Sequence, residues 1–357
     1  MTSIARLFLA FFISALTATS AAAADLLLAI NKGDQTLAIV DAATLKVLGT
    51  APTGPDPHEV IASADGKLAY ITNYNAGNGS ANSLSVIDLV AMKALPPIDL
   101  GALGRPHGIT LADGKIYFTA EGAKVVARYD PATRRVDWVV GTGQDRTHMV
   151  IVSSDQKTIF TTNVSSATVS ILEQFTPARR GGGPPPGAPA PGAAARGAGG
   201  RGGAPAAADW RVTVVPVGPG AEGFDLSPDG RELWVANAQG GSVSIVNVAK
   251  KMAETLSVRF RSANRLKFTP DGKYALISDL GGTEVIVIDA ATRQEIKRID
   301  VGGGAAGIQM SPDGSRAFAA VGSLNGVAII DLKTLLMTGR IATGPGPDGL
   351  AWVTGSR

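Results

Sequence analysis

The sequence predicts an all-β fold: a seven-bladed β-propeller of four-stranded antiparallel blades, closed by N- and C-terminal strands that share one blade. Three observations predict it. An Asp-Gly turn recurs at a period of about 42 residues, within the range of propeller blades. Short apolar runs separated by Gly, Ser and Asn turns fill every repeat, the pattern of antiparallel strands. The two ends of the chain each carry a fraction of one repeat.

The turns fall at Asp65, Asp113, Asp155 (followed by Gln), Asp229, Asp271 and Asp313. Their spacings are 48, 42, 74, 42 and 42 residues, and the long one exceeds 42 by the 32 residues of Ala178 to Asp209. Each turn precedes an apolar strand, as in Tyr70 to Asn73, Ile116 to Ala120 and Trp234 to Asn237. A second strand follows and ends in a polar residue: Asp41, Asp88, Asp130, Glu173, Asn247, Asp289 and Asp331. Seven such ends predict seven blades. The five Asp among them (Asp41, Asp88, Asp130, Asp289, Asp331) suit turn caps, because Asp bonds nearby backbone amides well. In six repeats the residue ten positions earlier closes the preceding strand (Asn31, Ala120, Asn163, Asn237, Asp279, Val321), and the remaining repeat has a longer Tyr74 to Ser83 loop.

Leu26 to Thr50 contains the later strands of a blade without a first one, and Pro347 to Val353 reads as a first strand with no blade after it. Joining them completes the ring and removes the exposed edges of an open arc.

Two segments stand apart from this single domain, 25–357. Residues 1–24 read as an export signal: Arg6 supplies a positive start, Leu7 to Leu16 an apolar stretch, and Ala21 to Ala24 small residues at a cleavage site. Periplasmic or extracellular location is therefore expected, with no transmembrane segment after signal removal. Ala178 to Asp209 is a Gly-, Pro-, Ala- and Arg-rich insert with almost no apolar bulk. Such a composition cannot bury enough surface to offset ordering, which predicts a disordered surface loop.

Without cysteine the chain has no disulfide, thiol nucleophile or covalent haem attachment. The pI of about 9.1 overstates its basicity. Arg6 leaves with the signal and Arg179, Arg180, Arg196 and Arg201 lie in the insert; without these five, 33 basic residues become 28 against 30 acidic ones. A nearly neutral body with few aromatic residues argues against a nucleic-acid partner.

The residues Tyr70-Ile-Thr-Asn73, Phe160-Thr-Thr-Asn163 and Trp234-Val-Ala-Asn237, with the Ser-Pro-Asp-Gly turns, resemble the YVTN-family β-propeller repeat. The resemblance spans Leu26 to Val353 apart from the insert. It implies the fold; similar propellers include surface-layer proteins, binding proteins, lactonases, lyases and redox-enzyme subunits, so it implies no single activity.

Chemistry is expected at the mouth of the central channel, just before each first strand. The residue seven positions before each Asp turn (six in one repeat) is His58, His107, His148, Glu222, Asn264, Ala306 and, at the chain end, Asp348. All three histidines of the protein fall in this column, on consecutive blades. Three imidazoles with Glu222 and Asp348 nearby suit a divalent metal such as zinc or copper. Structural packing of the mouth is the other reading of the column. Arg105 and Arg146, each two residues before a histidine, suit a carboxylate or phosphate. The expectation is a binding module for a small molecule or protein, with nothing requiring turnover. A lactonase-like hydrolase or lyase using His, Glu and Arg is one alternative, and a structural envelope protein another. A closed ring needs no partner to hide its edges, so a monomer is expected.

Overall fold

The computed structural model describes residues 24–76, 79–177 and 208–355. The expected signal peptide, apart from Ala24, and the insert, apart from Ala208 and Asp209, lie outside the described residues.

Seven four-stranded antiparallel sheets form the ring. In chain order the first six blades run Pro57 to Asp99, Pro106 to Gly141, Thr147 to Pro216, Ala221 to Thr255, Ala263 to Asp300 and Ala305 to Ala342. The closing blade takes Pro347–Val353 as its first strand, followed by Leu26–Asn31, Thr36–Asp41 and Val47–Pro52. Its seam pairs Leu26 with Val353, Leu28 with Ala351 and Ala29 with Leu350. Among the described residues the helical content is one 3-10 turn at Gly322–Leu324, and no helix is long and apolar enough to cross a membrane.

The blades are held by seven apolar clusters, one at each interface between neighbours. Middle strands meet neighbours on both faces, which is why Leu26–Asn31 and Trp234's strand are nearly continuous apolar runs. Outermost strands alternate instead: Arg135–Gly141 shows every second residue to solvent. The seam has its own clusters. Leu28, Ile30, Leu37 and Ile39 pack on Val60, Ile71 and Ile87 of the first blade. Leu27, Ala29, Val40 and Leu350 pack on Phe318 and Ile329 of the sixth. A buried side chain of this size contributes about 1.5–3 kcal/mol, so closure is part of the core.

Two local expectations change. The Tyr74 to Ser83 loop is mostly strand: Leu68–Ala76 and Gly79–Asp88 continue their ladder past Asn73, pairing Asn75 with Ser80. Asp209, assigned to the insert, already pairs with Phe175 at the start of the third blade's last strand. The Asp and Asn strand ends cap turns, as when Asp331 Oδ1 accepts from Thr334 N at 2.7 Å and Asn247 Oδ1 from Lys250 N at 2.8 Å, whereas Glu173 pairs with Lys251.

Candidate functional site at the channel mouth

Each first strand starts at the channel mouth, and three local devices fix the side chains there. The residue two before the column residue takes a left-handed conformation in five blades: Asp56, Arg105 and Arg146 at φ of 48°, 56° and 54°, with Gly220 and Gly346 as glycines. For the three non-glycines this costs about 1–2 kcal/mol each, and it holds a charged residue at the rim. Threonines of the neighbouring second strand anchor the column backbone: Thr72 Oγ1 donates to His107 O at 2.8 Å, Thr119 Oγ1 to His148 O at 2.6 Å and Thr162 Oγ1 to Glu222 O at 2.7 Å. Finally, adjacent first strands approach so closely that glycine must follow the column residue in four blades. A Cβ at Gly108 would lie 2.4 Å from His148 O, and one at Gly349 2.3 Å from His58 O.

The column residues His58, His107, His148, Glu222, Asn264, Ala306 and Asp348 all line one cavity of about 580 Å³. Arg146 lines it too; Arg105 stands behind Tyr74, its guanidinium carbon 4.6 Å from the ring centroid.

One side of the cavity is built on Glu121, whose side chain is 1% exposed. Its Oε1 lies 2.6 Å from His148 Nδ1, and its Oε2 accepts from the Tyr74 hydroxyl, which Arg105 Nη2 also contacts. Glu222 Oε2 sits 2.6 Å from the other nitrogen of the same imidazole, an ion-pair contact off the line of a hydrogen bond. Arg146 lies 3.7 Å from Glu121 and 3.9 Å from Glu222. Burial alone would push His148 down, but the Glu222 charge and the Glu121 hydrogen bond raise it above the ordinary imidazole value. Burial would likewise raise Glu222, yet His148 and then Arg265 hold it at about 2. Tyr74 is pushed up to about 12 by burial and by its bond to Glu121. His148 is thus an imidazolium between two carboxylates.

The opposite side is built on Lys32. Its Nζ lies 2.7 Å from His58 Nε2, 3.0 Å from Asp56 and 3.6 Å from Asp348. His58 Nδ1 donates to Asp56 O at 2.9 Å, leaving Nε2 to accept from Lys32. Burial and the Lys32 charge depress His58. Between the two sides, His107 stacks on His148 with ring centroids 3.6 Å apart and meets His58 edge-on at 4.7 Å. Burial, then the neighbouring His148 and His58, keep His107 well below the ordinary value, so it is neutral. Its Nδ1 is buried without a partner.

A metal does not fit these side chains as they stand. The imidazoles form a stack instead of converging, and both nitrogens of His148 face carboxylates. Among the described residues no group of three or more His, Asp or Glu is placed to hold a metal ion.

The floor is Arg265, which lines the cavity and reaches Glu59 at 2.7 Å and Glu222 at 3.6 Å. Beneath it a second cavity of about 290 Å³ runs between the first strands. The remaining wall is small and uncharged: Leu280, Gly304, Ala306, Gly322, Ser323 and Pro347.

Sequence reasoning brought the column together but missed Lys32, Tyr74, Glu121, Glu59 and Arg265. A signal existed for the first three. Lys32 and Glu121 directly follow the last residue of their blades' second strands (Asn31, Ala120), and Tyr74 holds the same repeat position inside the longer Leu68–Ala76, where other blades carry Val164, Ala238, Leu280 and Gly322. Glu59 and Arg265 each directly follow a column residue, at the place where four blades need glycine.

No family model and no curated protein matches the sequence. Solved structures do match. A protein of unknown function from Desulfotomaculum acetoxidans superposes with a TM-score of 0.69 at 12% identity, over 93% of this chain and 99% of that one. A Bacteroides fragilis protein, provisionally a 6-phosphogluconolactonase, gives 0.68 at 16% over 93% and 98%. Hydrazine synthase from Kuenenia stuttgartiensis gives 0.65 at 18% over 90% and 99%. At such identities the likeness concerns the propeller fold alone.

Proposed function

We propose that the protein is an exported, YVTN-type β-propeller that binds a small organic carboxylate in the channel-mouth cavity. The observation that supports this best is Arg146. It lines the cavity, its side chain is 39% exposed, and its guanidinium makes only ion-pair contacts of 3.7 Å and longer with described residues. Its donors are available for the bidentate carboxylate geometry that arginine favours. His107, which lines the same cavity, carries a buried Nδ1 with no hydrogen-bond partner among the described residues. The small uncharged wall leaves room for the ligand's carbon skeleton.

Calorimetric titration with a panel of small carboxylates (lactate, pyruvate, gluconate) tests this. Saturable binding, weakened about tenfold or more by Arg146→Gln and unchanged by Lys267→Gln in the lower channel, is expected. No saturable binding across the panel, or equal loss in both variants, contradicts it.

One observation favours a second reading, an acid–base hydrolase of lactone type. A general base must be neutral and within reach of its substrate, and His107 is a neutral, unpartnered imidazole lining the cavity. Gluconolactone hydrolysis that disappears in His107→Asn supports that reading; turnover equal to wild type in His107→Asn removes it.

A further inference from the structure

The charged groups around the mouth are not distributed evenly. On one side Arg105, Arg146 and the His148 imidazolium face two carboxylates, Glu121 and Glu222. On the other, Lys32 faces Asp56 and Asp348, while His58 is neutral. At the floor Arg265 pairs with Glu59, and its charge also acts on Asp348 and Glu222. Apart from the Arg265–Glu59 pair, the first rim holds three cations against two carboxylates and the second one cation against two carboxylates, across a single cavity.

Each rim also holds a charged group that is not used up by the protein. Arg146 donates no side-chain hydrogen bond to any described residue; its buried Nε meets Glu121 only at 3.7 Å. Asp348 lines the cavity and its carboxylate accepts no hydrogen bond from a described residue: Lys32 stands 3.6 Å away, and Arg265 acts on it through charge. Its near neighbour Asp56 is by contrast occupied on both oxygens, by Lys32 at 3.0 Å and Asn75 at 2.8 Å. Between the rims lies His107, 2% exposed, with its unpartnered Nδ1. An open donor, an open acceptor and an orphaned polar atom thus share one cavity.

Resting on the carboxylate-binding reading above, we propose that the ligand is a zwitterion, with its carboxylate on Arg146 and a protonated amine on Asp348. The two rims are separated by the histidine stack, two ring-to-ring steps of 4.7 and 3.6 Å. That span exceeds the single carbon between the charges of an α-amino acid and suits an ω-amino acid with a longer chain. His107 sits beside the middle of such a chain. The uncharged wall of Leu280, Ala306 and Pro347 takes its methylenes.

The test is calorimetry on the full-length protein with glycine, γ-aminobutyrate, δ-aminovalerate and ε-aminocaproate, alongside valerate and pentylamine as the two halves. Expected is binding of the longer zwitterions about tenfold or more tighter than either half, with glycine weakest, since each end gains a charge-assisted bond. Asp348→Asn, with an unchanged unfolding midpoint, should weaken δ-aminovalerate toward valerate and leave valerate alone. Arg146→Gln should weaken both. Valerate binding as tightly as δ-aminovalerate in the wild type overturns the zwitterion while leaving the carboxylate reading intact. Absence of binding by every zwitterion also overturns it, and the carboxylate panel then decides the broader reading separately. The wild-type ligand series needs no variant, so a misfolded Asp348→Asn protein does not rescue the proposal.

Discussion

Glu121 is the carboxylate on which the positive rim depends, and its burial sets its worth. Replacing it with Gln leaves His148 and Arg146 facing Glu222 alone and removes the one carboxylate that Arg105 meets among the described residues. Breaking a buried ion pair from one side costs about 3–5 kcal/mol, so Glu121→Gln should lose stability of that order in urea unfolding. A loss below about 1 kcal/mol, the range of a surface pair, contradicts the network. The imidazoles predict pH dependence of opposite signs. His58 and His107 are depressed, so below the ordinary value of 6.5 the unfolded chain takes protons that the folded one refuses. Their contribution is complete above that pH and is lost as pH falls. His148 is raised; its contribution is complete below 6.5 and fades as pH rises through its folded value. Glu222, held at about 2, adds stability above its ordinary 4.5 that is lost as pH falls toward 2. His107→Asn should therefore flatten the loss of stability between about pH 7 and 5 by roughly 1–2 kcal/mol. An unchanged slope in paired denaturation curves contradicts the neutral His107.

At the scale of the strand, the glycine after the column residue is a spacing requirement. Gly108→Ala places a Cβ 2.4 Å from the His148 carbonyl, against backbone that cannot yield cheaply. Overpacking of this kind costs about 1–3 kcal/mol, and the displaced strand carries His148. Urea denaturation should show the loss, and a midpoint equal to wild type contradicts the close approach. The column was legible in the sequence because a fixed spacing from each Asp turn maps onto a fixed place in each first strand. The site's interior was less legible. Glu121 and Lys32 follow ordinary second strands, and only the ring places them beside residues of a neighbouring blade. Arg265 and Glu59 lie 206 positions apart in the chain, in different blades, and no local periodicity brings such a pair together. The Tyr74 to Ser83 region differs for another reason: its Asn, Gly and Ser composition signals a turn, but the ladder continues past Asn73, with a register shift, to pair Asn75 with Ser80 and Ala76 with Gly79.

For the whole molecule, closure is the organising fact, since the first strand of the last blade is supplied by the far end of the chain. Removing Leu350 to Arg357 strips the seam partners of Leu26 through Ala29 and exposes apolar faces on two blades. The whole ring should lose stability, with a lower urea midpoint; an unchanged midpoint contradicts this closure. The same ring geometry makes the mouth a single site assembled from every blade, and three histidines report on it without interference because the protein has no others. The most direct test is therefore an NMR titration of the three imidazoles in uniformly ¹⁵N-labelled protein, with and without a small carboxylate. The expected spectrum near neutral pH shows one imidazolium, His148, and two neutral rings, with His107 and His148 shifting together on ligand addition. Three rings titrating alike near the ordinary value, indifferent to ligand, would contradict the interlocked mouth and the binding site built on it.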